Sequence, residues 1–138
     1  MTRNKRRFPD LGPVEYKLLR ILWKRQPATA RQVLDEYNAG SPRRLKYTTV
    51  MTLLTRMAEK GVLDVDRERQ PFTFSPCVTR EQMLGQRIRE FVETFFDGQP
   101  LDLALRLVEE ADLDDSSLRR LEERLEQQRR ERERGRRR

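Results

Sequence analysis

The chain has 138 residues, 38% of them charged and 36% hydrophobic, with a formal net charge of +7. That suits one or two small domains with a modest core. It has no histidine and one cysteine, Cys77, which excludes a histidine-dependent triad or base, a Cys/His zinc cluster and any intrachain disulfide. No Asp/Glu pair sits in an apolar context, no Gly-rich phosphate loop appears, and no apolar run approaches the ~18 residues of a membrane span. No signal peptide precedes the first elements either. The expectation is a protein of a reducing cytosol, not an enzyme, without cofactor or metal and not inserted in a membrane.

Residues 1–10, "MTRNKRRFPD", read as a flexible basic arm. A first helix follows in "LGPVEYKLLRILWKRQ", with Pro13 at an early helical position. Leu11, Val14, Leu18, Ile21 and Leu22 share one face, and Tyr16, Leu19 and Trp23 form a second opposite it. Apolar on both sides, this helix should be buried on both sides. Thr29 and Gln32 make a capping box for a short second helix with Val33, Leu34 and Tyr37 inward, ended by Gly40, Ser41 and Pro42. Arg43 and Arg44 lie in the connector. A third helix runs from about Lys46 to Lys60, with Gly61 fit for the left-handed cap. Val62, Leu63 and Val65 predict one strand, Phe72 and Phe74 a second, joined by a polar tip carrying Arg67 and Arg69. Three helices and a hairpin make a winged helix-turn-helix over residues 11–77.

A second module covers residues 78–128. Thr79 and Gln82 form another capping box, and Leu84, Ile88, Phe91, Val92, Phe95 and Phe96 stripe a long helix that Gly98 and Pro100 break. "LDLALRLVEEA" is a short apolar helix containing Leu105. Asp114 or Asp115 caps a last helix with Leu118, Leu121 and Leu125 at coiled-coil-like spacing. Residues 129–138 form a basic tail without an apolar residue, expected to fray or stay disordered. The fold class is therefore mostly α with a small β-hairpin wing, plus a three-helix C-terminal module.

Charge separates the two modules. Residues 1–78 hold about 16 Lys and Arg against about 8 Asp and Glu, whereas residues 79–128 hold about 7 against about 13. The basic module favours a polyanion through phosphate contacts and counterion release. The acidic module carries more apolar surface than about 50 residues can bury alone, which points to a symmetric dimer.

On a helical wheel, Val50, Leu53, Leu54 and Met57 of the third helix form a buried face. Thr48, Met51, Thr52, Thr55 and Arg56 lie opposite, with Thr49 on the flank. Threonine has poor helix propensity, and a solvated helix of this chain would carry Glu, Lys and Arg instead. In a major groove, threonine offers a hydroxyl to phosphates or bases and a methyl to thymine. Arg56 reaches a phosphate or a guanine, and Lys46 and Tyr47 stand where backbone contacts fall.

"EYKLLRILWKRQPATARQVLDEY", "KYTTVMTLLTRMAEKGVLDVDRERQPFTFSP" and "VTREQMLGQRIREFVETFFDGQPLDLALRLVEEADL" resemble the BlaI/MecI penicillinase-repressor family, from Leu11 to about Leu125. The resemblance implies a homodimeric transcriptional repressor that binds palindromic operators in double-stranded DNA through a winged helix. Its recognition contacts would be Lys46, Thr48, Thr49, Thr52 and Arg56, with Arg67 and Arg69 as wing contacts to the backbone. Met51 stands where other members often have a basic or polar residue. The resemblance also implies derepression through a membrane sensor-protease system cutting at or near Arg106-Leu107, a pair that departs from the Asn-Phe type of the resistance repressors. The cysteine-rich motif of copper-responsive relatives is missing from the sequence. A less specific architectural nucleic-acid-binding protein, and an adaptor using the threonine face to dock proteins, remain as alternatives.

Overall fold

The computed structural model describes residues 7–137. The basic-arm expectation for residues 1–6, and the last residue of the basic tail, lie outside the described residues. Six helices and three strands follow in the order α1 (Pro13–Lys24), β1 (Ala28–Thr29), α2 (Ala30–Gly40), α3 (Tyr47–Glu59), β2 (Leu63–Asp66), β3 (Thr73–Pro76), α4 (Arg80–Phe95), α5 (Pro100–Glu110) and α6 (Asp115–Arg136). The chain divides into two compact units, one reaching to Glu90 and the other beginning at Phe91. The division falls inside α4, not ahead of it at residue 78, because Met83 on its first turns is wholly buried in the first unit's core.

In the first unit α1 takes the central place that its two apolar faces predict. Leu18, Leu19 and Leu22 are fully buried. Trp23 donates its indole N–H to the Val78 carbonyl at 2.9 Å and meets Tyr16 edge-on, with ring centroids 6.1 Å apart. Val33, Leu34 and Tyr37 of α2 and Val50, Leu54 and Met57 of α3 close the core with Phe74. Leu53, expected with them, is only half-buried. Both capping boxes form: Gln32 N–H donates to Thr29 Oγ1 at 3.2 Å, and Gln82 N–H to Thr79 Oγ1 at 3.0 Å.

The wing is a three-stranded sheet in the order β1-β3-β2, not a bare hairpin. β2 pairs antiparallel with β3, Val65 opposite Phe74, and β1 adds Ala28 opposite Phe74 on the other edge. Gly61, at φ 82°, makes the left-handed turn out of α3 into β2.

Residues 8–10 are held in place, contrary to the expected flexible arm. Phe8 exchanges two hydrogen bonds with the Gln86 side chain, at 2.8 and 3.0 Å, and the Arg87 guanidinium donates to the Pro9 carbonyl at 2.6 Å. Glu90 organises both donors, accepting from Gln86 at 2.9 Å and from Arg87 at 2.9 Å. The Gln86 hydrogen bond, followed by that from Arg87, lowers the Glu90 carboxyl below its ordinary value of 4.5. A depressed carboxylate stabilises above its unfolded pKa, and that contribution is lost as pH falls through the folded value. We expect the strap to be fully held at neutral pH and to loosen below the ordinary carboxylate range. Hydrogen exchange at the Phe8 amide checks this. Glu90→Gln should lower the protection of that amide, relative to its intrinsic exchange rate, at pH 7 and abolish the further loss of protection in acid; an unchanged acid response would move the titrating group elsewhere.

The second unit contains the end of α4 with α5 and α6. α5 and α6 have no buried residue. α6 does not fray at residue 129; it continues to Arg136. Arg, Glu and Gln are good helix formers, and Arg130 pairs with Glu126 at 3.4 Å one turn back. Propensity and such pairs replace the apolar stripe whose absence predicted disorder. Asp114 caps the helix, accepting the Ser117 N–H at 2.8 Å.

Candidate nucleic-acid interface

α3 begins without a side-chain cap and without an acidic residue in its first turn. Its first N–H groups are therefore open to an anion. Lys46, Tyr47, Thr48 and Thr49 are exposed around that end, and Thr52 and Arg56 continue the exposed face along the next two turns. Thr55 is half-buried on the same side. Among the described residues Arg56 has no ion pair, so its guanidinium is available to a ligand.

Two side chains of the face behave differently from the wheel's simple division. Thr52 Oγ1 donates to the Thr48 carbonyl at 2.9 Å. Its hydroxyl proton is thus spent inside the helix, and what faces outward is a methyl and an acceptor oxygen. Met51 is half-buried and packs against the core, yet it lines a surface hollow with Thr52, Thr55, Arg56 and Glu59, so it stands at the border of the two faces.

The helix is fixed by contacts that no local sequence pattern announces. Asn38, near the end of α2, receives the Leu45 N–H at 2.8 Å and donates to the Leu45 carbonyl at 3.1 Å. This clamp closes the turn between α2 and α3 and sets where α3 starts. Arg31 lies over the Tyr47 ring, 5.3 Å from its centroid, adding a second cation beside the α3 entrance. Arg31 and Tyr47 are 16 positions apart, beyond any local pattern.

In the wing, Glu68 N–H bonds the Asp66 carboxylate at 3.0 Å, turning the chain out of β2. Arg67 stacks over Phe72 at 6.0 Å, and Arg67 and Arg69 are both exposed at the tip. The first unit thus presents an exposed helix with hydroxyls, methyls and cations, and a strand-borne loop with two arginines. The pieces match those required for major-groove reading with backbone contacts beside it. Among the described residues no group of His, Cys, Asp or Glu could hold a metal ion.

Of the side chains expected to pair two copies, Ile88, Phe91, Phe95, Leu105, Leu121 and Leu125 are exposed, from 40% for Leu121 to 67% for Phe95. Leu84 is exposed too, while Phe96 and Leu118 are half-buried. Val92 departs from the set at 6%, since a side chain already covered within its own chain has little surface left for a partner. The Phe91 ring meets Phe95 at 4.8 Å and Phe96 at 5.9 Å between centroids, tilted by 44° and 43°, giving one contiguous aromatic patch.

A family model described as penicillinase repressor matches residues 11–127. The penicillinase repressor of Bacillus licheniformis is 22% identical over 122 residues, spanning 88% of this chain and 94% of that protein. The transcriptional regulator BlaI of Mycobacterium tuberculosis is 36% identical over 76 residues, 54% of each chain. Among solved structures, the DNA-binding domain of the repressor BlaI superposes with a TM-score of 0.48 at 22% identity, covering 55% of this chain and 90% of that one. With a match over most of its length, the chain belongs to the penicillinase repressor family.

Proposed function

We propose that this member of the penicillinase repressor family, a DNA-binding transcriptional repressor, acts as a homodimer on palindromic operators in the cytoplasm. The observation that carries the reading is the α3 face: Thr48, Thr49, Thr52 and Arg56 exposed on a helix whose other side is locked into the core. Arg67 and Arg69 supply the flanking backbone contacts. The aromatic patch of α4 and the leucines of α5 and α6 supply the two-fold contact, and two-fold symmetry matches a palindromic site. No helix among the described residues is long and apolar enough to cross a membrane.

Release by proteolysis at Arg106-Leu107 belongs to the same proposal. Leu107 is 56% exposed, and Arg106 is paired with Glu110 at 3.2 Å inside α5. A protease takes an extended strand, so cutting there requires α5 to unwind locally. A helix without a buried residue is suited to that.

The test is a binding titration on a palindromic fragment from the gene's own upstream region and on its scrambled counterpart. The expected preference is at least ~10³ at physiological salt. Equal affinity for both favours an architectural protein, and no binding at low salt favours a protein adaptor.

A further inference from the structure

We infer that the arginine-rich end of α6 is a second contact to duplex DNA, made to phosphates and independent of sequence. The inference rests on the DNA-binding reading above but concerns a different part of the chain. The family match stops at residue 127, and the arginine run begins at Arg129. This surface is therefore additional to what the family model describes.

The charge changes abruptly along one continuous helix. From Asp115 to Gln128, α6 carries acidic and basic residues in near balance; beyond it come Arg129, Arg130, Arg132, Arg134, Arg136 and Arg137 with only Glu131 and Glu133. Arg129, Arg132 and Arg136 recur at i, i+3 and i+7, and Arg130, Arg134 and Arg137 at i, i+4 and i+7, so cations line two neighbouring faces. Of these six, only Arg130 has a salt bridge among the described residues, to Glu126.

A merely solvated helix does not account for the excess of cations. Propensity and opposite charges at i,i+4, such as Glu126 with Arg130 and Arg129 with Glu133, account for the helix itself, but not for six arginines against two glutamates, with Arg130 and Arg134, and Arg132 and Arg136, placing like charges one turn apart. The helix dipole favours cations only in the last turn, and so explains Arg134 and Arg136 but not Arg129 or Arg132. Uncompensated cations on an ordered rod are stabilised by an external polyanion. Every basic residue after Lys60 is an arginine, the side chain whose planar fork pairs bidentately with phosphate.

The experiment compares the full chain with the quadruple variant Arg132→Gln, Arg134→Gln, Arg136→Gln and Arg137→Gln. Glutamine keeps helix propensity while removing charge. Binding is measured from 50 to 300 mM salt on the operator and on a scrambled duplex of equal length. We expect the slope of log affinity against log salt to fall by at least about 2 on both duplexes, at ~0.9 for each phosphate no longer neutralised. The converse variant, Glu131→Gln with Glu133→Gln, should steepen it. Should the quadruple variant lose helix content or change mass, the converse variant decides alone. Unchanged slopes overturn the inference, as does a loss confined to the operator, which would make the segment a base reader. Binding of the segment to anionic lipid vesicles with unchanged DNA slopes would assign it to membranes and equally overturn it. If the wild type shows no operator preference yet the slopes on scrambled duplex shift as expected, the repressor reading fails while this one stands.

Discussion

Replacing Phe95 by alanine is expected to turn the proposed dimer, at micromolar concentration, into monomer, and Phe95→Asp to do so more completely. Phe95 is 67% exposed in the single chain and lies against Phe91, ring centroids 4.8 Å apart. Truncating a buried aromatic anchor at an interface costs on the order of 2 kcal/mol or more. Two-fold symmetry makes each substitution count twice, so about 4 kcal/mol, or roughly 10³ in the dimer dissociation constant, is at stake. The first unit should not notice, because its core ends at Met83. Trp23, bonded to the Val78 carbonyl, reports on that independently through its fluorescence. Operator affinity should fall with the dimer, since a monomer engages one half-site at a time and loses the effective concentration of the second. Val92→Ala makes the contrast: buried in its own chain, it should lower thermal stability while leaving the dimer constant nearly unchanged. A dimer that survives substitution of both Phe91 and Phe95 would place the two-fold contact elsewhere.

That contrast between Phe95 and Val92 marks where the sequence stopped being informative. Helical spacing put both on one stripe, and spacing alone cannot say which side chains their own chain covers. Local signals fared better. The two capping boxes, Pro13 at the start of α1 and Gly61 at the end of α3 are each set by neighbours within four residues, and each has the predicted geometry. Long-range pairings left no local trace. β1 is two residues long, and its partner Phe74 lies 46 positions away, so nothing in "QPATARQ" marks a strand. The strap of Phe8 on Gln86, 78 positions apart, leaves no trace for the same reason, and the Asn38 clamp on Leu45, seven apart, falls outside any helical or strand periodicity. The candidate site was largely legible because it lies on one helix, where periodicity separates faces. Met51 sits between the two faces, half-buried against the core yet lining the same surface hollow as Thr52, Thr55 and Arg56.

On that helix, Arg56→Ala is expected to weaken binding by ~10- to 100-fold, about 1.4–2.7 kcal/mol, in the range of one hydrogen bond to a charged group. The loss should be alike on operator and scrambled duplex, with the salt slope reduced by about 1. Arg56 lies in the last turn of α3, whereas base edges are met by the N-terminal half of a recognition helix, so its natural target is a phosphate. Thr52 should behave in the opposite way. Because its hydroxyl already donates to the Thr48 carbonyl, removing that hydroxyl takes no donor from the DNA. Thr52→Val, which keeps the outward branch, should leave operator affinity within a few-fold of wild type. Thr52→Ser deletes one methyl and should cost about 0.8 kcal/mol, roughly fourfold, on the operator alone. Thermal melts of each variant separate these effects from unfolding, since both positions are exposed and the core beneath them is Val50, Leu54 and Met57. A Thr52→Val variant that binds much worse than Thr52→Ser would show that the oxygen, not the methyl, touches the base. An operator affinity unmoved by Arg56→Ala and Thr52→Ser together would take α3 out of the interface.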